Sequence, residues 1–188
     1  AASDVYKRQL AYSLSKKRIT ISTSGIVPQI NKLAGITDVS LAISLHAPDN
    51  QLRDIIVPIN KKYPIKQLLT SCQNYLSQQT SKSNITIEYI LIDGINDSIK
   101  HAASLSKILS NLSCKINLIP FNPFDGSEYK RSTNKNIYAF KDYLIQKGYI
   151  TTLRITRGDA IDGACGQLVG NLKNTVKGKG VIKHTSIH

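Results

Sequence analysis

One cysteine of this chain lies in a segment where covalent chemistry is possible. The segment, RGDAIDGACGQL, spans residues 157–168 and places Cys165 among small and polar neighbours. A buried structural cysteine normally has apolar neighbours, whereas the glycines at Gly163 and Gly166 would let a ligand or nucleic-acid atom approach the sulfur. The plainer alternative, which the segment alone leaves open, is the start of a helix with an incidental cysteine.

Strands and helices are expected to alternate along the chain. The apolar pattern predicts strands over 18–23, 39–45, 85–92, 115–120 and 149–155. It predicts helices over 28–33, 65–76, 98–112 and 136–147, and a last helix over 161–172. This order is typical of an α/β fold with a parallel sheet and right-handed crossovers.

Unusual polar residues stand where the predicted strands end. They occupy positions 22–25, 44–48, 93 and 122–123. Ligand sites in parallel α/β folds lie at the carboxyl ends of the strands, and hydroxyl, imidazole and carboxamide groups on one rim suit a polar small molecule. On the residues alone, His46 could equally be a strand-end histidine that bonds only to the backbone, and Glu88 could be structural.

Composition favours a folded domain with a polyanionic partner. The chain has 188 residues, of which 41% are hydrophobic, and a formal net charge of +13. Such an excess favours nucleic acid before membrane, and no apolar run is long enough for a membrane span. Three widely spaced cysteines indicate a reducing compartment, so we expect a cytoplasmic protein. The candidate RNA contacts are Lys61, Lys62, Arg131, Arg154, Arg157 and the lysines of the tail.

The chain divides into three parts. Residues 1–10 are unlike the sequence that follows, and the chain contains no methionine. We therefore interpret 1–10 as a non-native leader, 11–172 as the folded domain and 173–188 as a basic, flexible tail.

Six motifs in order resemble the radical SAM RNA methyltransferases of the RlmN/Cfr type, with the closest resemblance to RlmN. The resemblance covers residues 11–172. The motifs are STSGIVP at 22–28, SLHAP at 44–48, VPINKKY at 57–63, IEY at 87–89, NLIPFNPF at 117–124, and RGD at 157–159 with CGQL at 165–168.

The resemblance implies a partial (β/α) barrel that methylates an adenine ring carbon of RNA. C2 of an adenosine in 23S rRNA, and in tRNA, is the expected target, with an external electron donor. The alternatives are C8 methylation of the Cfr type and a non-catalytic RNA-binding barrel fragment. An unrelated barrel enzyme for a nucleotide-like ligand is a further alternative.

The family's roles transfer onto matching positions. Cys165 matches the cysteine that accepts a methyl group from one S-adenosylmethionine (SAM), while a second SAM is cleaved at a [4Fe–4S] cluster to generate the radical. The residues that match SAM-binding positions are Ser22, Ser44, Leu45, His46 and Asn122.

Three family features have no counterpart in this sequence. They are the C-x-x-x-C-x-x-C triplet that holds the cluster, the GGEP-like segment for the SAM amino group, and a second catalytic cysteine. The resemblance therefore implies the C-terminal part of a longer enzyme, which alone would bind no metal and be inactive. Cys72 and Cys114 are expected to be core residues rather than substitutes for the missing ligands.

Overall fold

Five parallel strands lie side by side in chain order. The structure, a computed structural model, describes residues 19–80 and 82–154. The sheet order is β1-β2-β3-β4-β5, and every neighbouring pair is parallel. The strands are β1 (Thr20–Thr23), β2 (Ser40–Ser44), β3 (Ile85–Leu91), β4 (Cys114–Pro120) and β5 (Thr151–Leu153).

Each crossover between neighbouring strands contains at least one helix. The helices are α1 (Val27–Leu33), α2 (Asn50–Ile56), a short 3-10 helix (Pro58–Lys61), α3 (Ile65–Ser77), α4 (Ile99–Ile108) and α5 (Asn134–Gln146). Parallel neighbours require such crossovers, because the chain must return to the same edge before the next strand begins. The predicted α/β architecture with a parallel sheet is confirmed.

The two faces of the sheet differ, and one of them forms the main apolar core. Because side chains alternate along a strand, register partners share a face. One face carries buried apolar residues from all the central strands, such as Ile43, Ile87 and Leu118, and these pack with helix residues such as Leu68 and Phe140 in the main core. Burying this face against the helices supplies most of the hydrophobic stabilisation, at roughly 25 cal/mol per Å² of apolar surface.

Several element boundaries differ from the predicted ones. No element is predicted between residues 46 and 64, where α2 and the 3-10 helix form. The helix α4 ends earlier than expected, and its last carbonyls are met by turn hydrogen bonds at Leu109 and Leu112. The helix α5 begins earlier because the hydroxyl of Thr133 caps it by accepting from the amide of Asn136 at 3.2 Å.

Several sequence predictions lie outside the described residues. They concern the leader 1–10, the start of the first strand at Arg18, the helix over 161–172, Cys165 and the tail 173–188. Within the described ranges, none of the helices has the length and apolarity needed to cross a membrane.

The two cysteines in the described ranges are free thiols placed for packing. Cys72 is fully buried on α3, and Cys114 is partly buried at the start of β4. Burial raises the pKa of each thiol to about 12, so neither is a thiolate at neutral pH. The prediction that both are core residues is confirmed.

A buried arginine connects the carboxyl ends of β1 and β2. The guanidinium of Arg53, on α2, donates to the carbonyl oxygens of Ser24 at 2.7 Å, Ser44 at 3.1 Å and Leu45 at 3.0 Å. A fourth bond goes to Oδ1 of Asn60 at 3.0 Å. Burial lowers the pKa of Arg53 to about 10, which still leaves it charged at pH 7. One side chain therefore holds two strand ends and the 3-10 helix together.

We predict that Arg53→Leu lowers the free energy of unfolding by about 3–5 kcal/mol, because three backbone carbonyls and an amide oxygen lose their buried donor. Urea denaturation of the chain measures this difference. The matched control is Arg131→Leu, an exposed arginine, which should change stability by less than about 0.5 kcal/mol. Equal midpoints for the two variants would contradict the role assigned to Arg53.

Candidate functional site

His46 follows β2 directly and has a left-handed backbone conformation. Its φ is 61°, and it is the only non-glycine residue of the described ranges with a positive φ. Its ring is held in place, because Nδ1 accepts a hydrogen bond from the amide of Ile90 on β3 at 3.1 Å. An accepting Nδ1 carries no proton, so the neutral ring carries its proton on Nε2.

The environment of His46 keeps its ring neutral. The side chain is 4% exposed, and burial, followed by the positive charge of Arg53, lowers the pKa of His46 to about 4. The ring therefore takes up a proton only well below physiological pH. At neutral pH it is a fixed hydrogen-bond donor through Nε2.

Asn96 holds the backbone of His46 in place. Its Nδ2 donates to the carbonyl of His46 at 2.9 Å and to that of Ile90 at 2.7 Å. Its Oδ1 accepts from the amide of Ile92 at 2.8 Å, and the side chain is fully buried. These contacts compensate for the left-handed conformation, which a histidine otherwise adopts only at some cost in energy.

The serines lie on the polar face of the sheet, opposite the apolar core. Ser22 pairs in register with Ala42, two residues before Ser44, so all three share that face. Ser22 is exposed and Ser44 is buried. Leu45 points the other way into the core. Its amide donates to the backbone carbonyl of Glu88, and its own carbonyl accepts from Arg53. The side chain of Leu45 is thus placed for packing, and only its backbone lies near the rim.

Asn122 lies in the loop after β4 and is half-buried. The loop is anchored by aromatic packing, since the ring of Phe121 lies 6.2 Å from that of Phe124 and 6.1 Å from that of Tyr129. Phe121 belongs to a second apolar cluster with residues of α2 and the end of β3. Asn122 therefore lies at the same carboxyl edge as Ser44 and His46, two strands away.

Asp97 holds the end of the loop after β4, where the chain enters α5. One carboxylate oxygen accepts from the amide of Gly94 at 3.2 Å. The other accepts from the hydroxyl of Ser132 and from Nδ2 of Asn136 at 3.0 Å. This buried aspartate joins the turn after β3 to the segment that leads into α5.

The structure reveals three positioning residues that the sequence analysis missed, namely Arg53, Asn96 and Asp97. A signal for Arg53 was available, because it lies three positions before the buried Ile56 and so shares the apolar face of α2. The asparagine and aspartate follow the turn at Gly94 and resemble ordinary turn residues. Their hydrogen-bond partners are either distant in sequence or backbone groups, so no local pattern indicates these contacts.

Basic side chains lie along the carboxyl edge. Lys61 and Lys62 lie between α2 and α3, Arg131 precedes α5, and Arg154 follows β5. All four are exposed, and Nζ of Lys62 lies 5.5 Å from the ring centre of Tyr63. These positions place positive charge near the rim, where a polyanion could approach it.

The polar side chains of the carboxyl edge fit a small polar ligand, whereas the described cysteines do not fit a metal cluster. A neutral imidazole donor, two serine hydroxyls and a carboxamide fit the hydroxyl, amino and ring nitrogen groups of a nucleoside such as that of SAM. The described cysteines do not fit an iron–sulfur cluster, which needs several thiolates close together. No group of three or more His, Cys, Asp or Glu side chains that could hold a metal occurs in residues 19–80 and 82–154.

Curated relatives match nearly the whole chain. The dual-specificity RNA methyltransferase RlmN of Marinobacter nauticus is 51% identical over 176 residues, which is 94% of this chain and 48% of the relative. The protein of that name from Pseudomonas fluorescens is 52% identical over 177 residues, or 94% of this chain and 46% of the relative. The chain thus spans about half the length of the curated relatives it matches. No protein-family model matches it.

Solved structures share the fold. A radical SAM methyltransferase from Sphaerobacter thermophilus superposes with a TM-score of 0.77 at 42% identity, over 82% of this chain and 45% of that protein. A domain of a pyruvate-formate lyase-activating enzyme from Bacteroides vulgatus gives a TM-score of 0.59 at 15% identity, over 81% of this chain and 88% of that domain, and supports the fold alone. Over 94% of its length the chain is therefore similar to one part of the proteins named RlmN, and it shares its fold with a radical SAM methyltransferase.

Proposed function

We propose that this chain forms the SAM-binding and RNA-facing part of a cytoplasmic RNA methyltransferase. The observation that carries this proposal is the rim itself, where Ser22, Ser44 and His46 are held at the ends of neighbouring strands in a chain about half identical to proteins named RlmN. The proposed product is 2-methyladenosine in 23S rRNA and in tRNA. The proposal also includes a [4Fe–4S] cluster, held outside the described residues, and an external electron donor.

The described residues would bind and orient SAM rather than react with it. The bound SAM would supply the methyl group. His46 offers one fixed donor from Nε2, Ser22 and Ser44 offer hydroxyls, and Asn122 offers an amide that can both donate and accept. Arg53 and Asn96 would keep these groups in place before the ligand arrives, which reduces the entropy lost on binding.

We assign the acceptance of the SAM methyl group to Cys165, which lies outside the described residues. Its thiolate would attack the SAM methyl carbon, so that a C–S bond forms while the bond to the sulfonium breaks. The small neighbours Gly163 and Gly166 would let SAM and the adenine approach the sulfur closely. The exposed lysines and arginines of the carboxyl edge would contact RNA phosphates and position the base without reading its sequence.

The function is tested in the complete native chain that carries this sequence. We predict that it converts adenosine to 2-methyladenosine in a 23S rRNA fragment and in tRNA, measured by nucleoside mass spectrometry. Cys165→Ala should abolish the product, because the methyl carrier is lost, while SAM binding persists. The control Cys114→Ala should remain active. The product 8-methyladenosine would contradict C2 specificity, and RNA binding without any methylation would support the non-catalytic alternative.

The neutral state of His46 predicts how SAM affinity depends on pH. The folded pKa of about 4 lies below the ordinary value of 6.5, so the ring stays neutral at both pH 7.5 and pH 5.5 and affinity should not change. Asn96→Ala removes the hydrogen bond that holds the carbonyl of His46, so we expect the ring to become less buried and its pKa to rise from about 4 towards 6.5. A protonated ring would repel the cationic ligand, so affinity should fall about tenfold over the same range.

Calorimetry with SAM at the two pH values measures this effect, and the ¹⁵N chemical shifts of the ring report its protonation. The control is Asn136→Ala, which removes a hydrogen bond to the neighbouring Asp97 but leaves the contacts of His46 intact. The same pH dependence in both variants would show that Asn96 has no specific effect on His46.

RNA contact at the carboxyl edge is tested by charge removal. In the complete native chain, replacing Lys61 and Lys62 by alanine should weaken RNA binding and reduce the slope of log affinity against log salt by up to about two. Fluorescence anisotropy at several salt concentrations measures the slope. The matched control replaces Lys107 and Lys147, which lie at the ends of α4 and α5 on the opposite edge. A slope equal to that of the parent would mean that Lys61 and Lys62 are only solvated.

A further inference from the structure

Asn60 is buried in the segment that carries the two exposed lysines Lys61 and Lys62. Its side chain is 1% exposed, although it lies in the short 3-10 helix between α2 and α3 and is followed directly by the two lysines. A buried carboxamide needs partners for both its oxygen and its nitrogen, because an unpaired polar group in the interior costs free energy. The partners of Asn60 therefore show to which parts of the fold this segment is attached.

The oxygen and the nitrogen of the Asn60 carboxamide contact different parts of the fold. Oδ1 accepts from Nη1 of Arg53 at 3.0 Å, and Arg53 in turn holds carbonyls beside the proposed SAM site. Nδ2 donates to Oδ1 of Asp54 at 2.6 Å and to Oδ1 of Asn50 at 3.1 Å. Oδ1 of Asn50 also accepts from the amide of Ile65, the first residue of α3, at 3.0 Å. Asn60 is thus attached to α2 directly and to the start of α3 through Asn50.

Apolar packing and backbone hydrogen bonds anchor the same segment. Val57 is buried in the second apolar cluster, which also contains Phe121 of the loop after β4, and Ile59 packs against this cluster. The amides of Lys62 and Tyr63 donate to the carbonyl of Ile59 at 3.1 Å and 3.0 Å. The backbone that carries the two lysines is therefore held at a defined place relative to the carboxyl edge.

The side chains of Lys61 and Lys62 extend from this anchored backbone and are exposed. Nζ of Lys62 lies 5.5 Å from the ring centre of Tyr63, a contact that restricts where its charge lies. The segment VPINKKY at 57–63 contains no acidic residue. Positive charges on an anchored backbone suit a ligand whose negative charges have a regular spacing, as the phosphates of RNA do.

We propose that Asn60 is a positioning residue that sets where the basic pair Lys61 and Lys62 meets RNA relative to the SAM site. This inference rests on the proposed function, because it takes the pair as a contact for RNA phosphates. Asn60 touches neither ligand and acts through the lysines that follow it. Because its side chain bonds to Arg53, the phosphate contacts and the SAM site keep a fixed separation. A transfer between two bound partners requires such a separation.

Asn60→Ala tests this role because it should affect the two binding events differently. The lysine segment loses its polar anchor, so we expect RNA affinity to fall about tenfold, with a lower salt slope, as in the variant that lacks both lysines. SAM affinity should stay unchanged, because Nε and Nη2 of Arg53 keep their three carbonyl contacts. Fluorescence anisotropy with a 23S rRNA fragment and calorimetry with SAM, both on the complete native chain, measure the two affinities. Equal losses for RNA and SAM would overturn the proposal, since Asn60 would then serve the fold as a whole.

A double-mutant cycle shows whether Asn60 acts through the two lysines. In the complete native chain with Lys61→Ala and Lys62→Ala, adding Asn60→Ala should cause no further loss of RNA affinity, because no positive charge is left at these positions. A general structural role of Asn60 would weaken RNA binding in this background too. A further loss as large as the one that Asn60→Ala causes in the parent would therefore overturn the proposal.

An exchange of two hydrogen-bonding groups keeps the test decisive if Asn60→Ala fails to fold. Asn60→Asp alone should weaken RNA binding, because it brings two carboxylates into contact at Asp54. Adding Asp54→Asn places a carboxamide beside a carboxylate again and restores the net charge of the parent, so most of the RNA affinity should return. No recovery in a folded exchange variant would overturn the proposal.

An asparagine away from this segment provides the matched control. Asn74→Ala removes an exposed carboxamide from α3 and should leave both affinities unchanged. A parent chain that binds no RNA would defeat the proposed function itself. RNA binding that depends on Lys61 and Lys62 but not on Asn60 would defeat only this inference.

Discussion

The guanidinium of Arg53 is the contact on which the carboxyl edge of this sheet depends. Three carbonyls at the ends of β1 and β2 converge on one planar, charged donor. The charge is not isolated, because Asn60 accepts from Arg53 and donates in turn to the carboxylate of Asp54 at 2.6 Å. Hydrogen bonds to a charged group are stronger than neutral ones, so this network orders the edge.

The tight packing around Arg53 explains neighbouring features of the sequence. Gly25 has a φ of 106°, and a Cβ there would lie 2.9 Å from Leu68 and 3.3 Å from Nη2 of Arg53. The STSG segment must therefore turn at a glycine for the arginine to reach Ser24. The same guanidinium helps to keep His46 neutral, so one buried charge affects both the geometry and the electrostatics of the rim.

A second network, centred on the segment after β3, fixes the rest of the rim. Asn96 supports His46, while Asp97 joins the following turn to the segment before α5. The antiparallel bridge between Ile92 and Arg131 lies in the same region. The ends of β2, β3 and β4 are thereby connected through buried polar contacts, and a site assembled from separate loops can stay rigid without a ligand.

The amino-acid sequence by itself determined the parallel α/β arrangement and the positions of most strands and helices. Apolar runs such as those of β3 and β4 are strong local signals, and the polar motifs at strand ends marked the rim and the family resemblance. These properties follow from local patterns of hydrophobicity and from short motifs, which a single sequence displays. The helix α2 was missed because it is short and its buried face includes the charged Arg53.

Only the tertiary structure decided which polar residues act together. It placed Leu45 in the core although it lies between Ser44 and His46, because side chains alternate between the two faces of a strand. It showed that the ring of His46 is neutral, since its burial and its contact with Ile90 depend on another strand. It also brought Glu88 beside Ser44, 44 positions apart in sequence. Such contacts form only when distant segments pack together, and no local pattern in the chain encodes them.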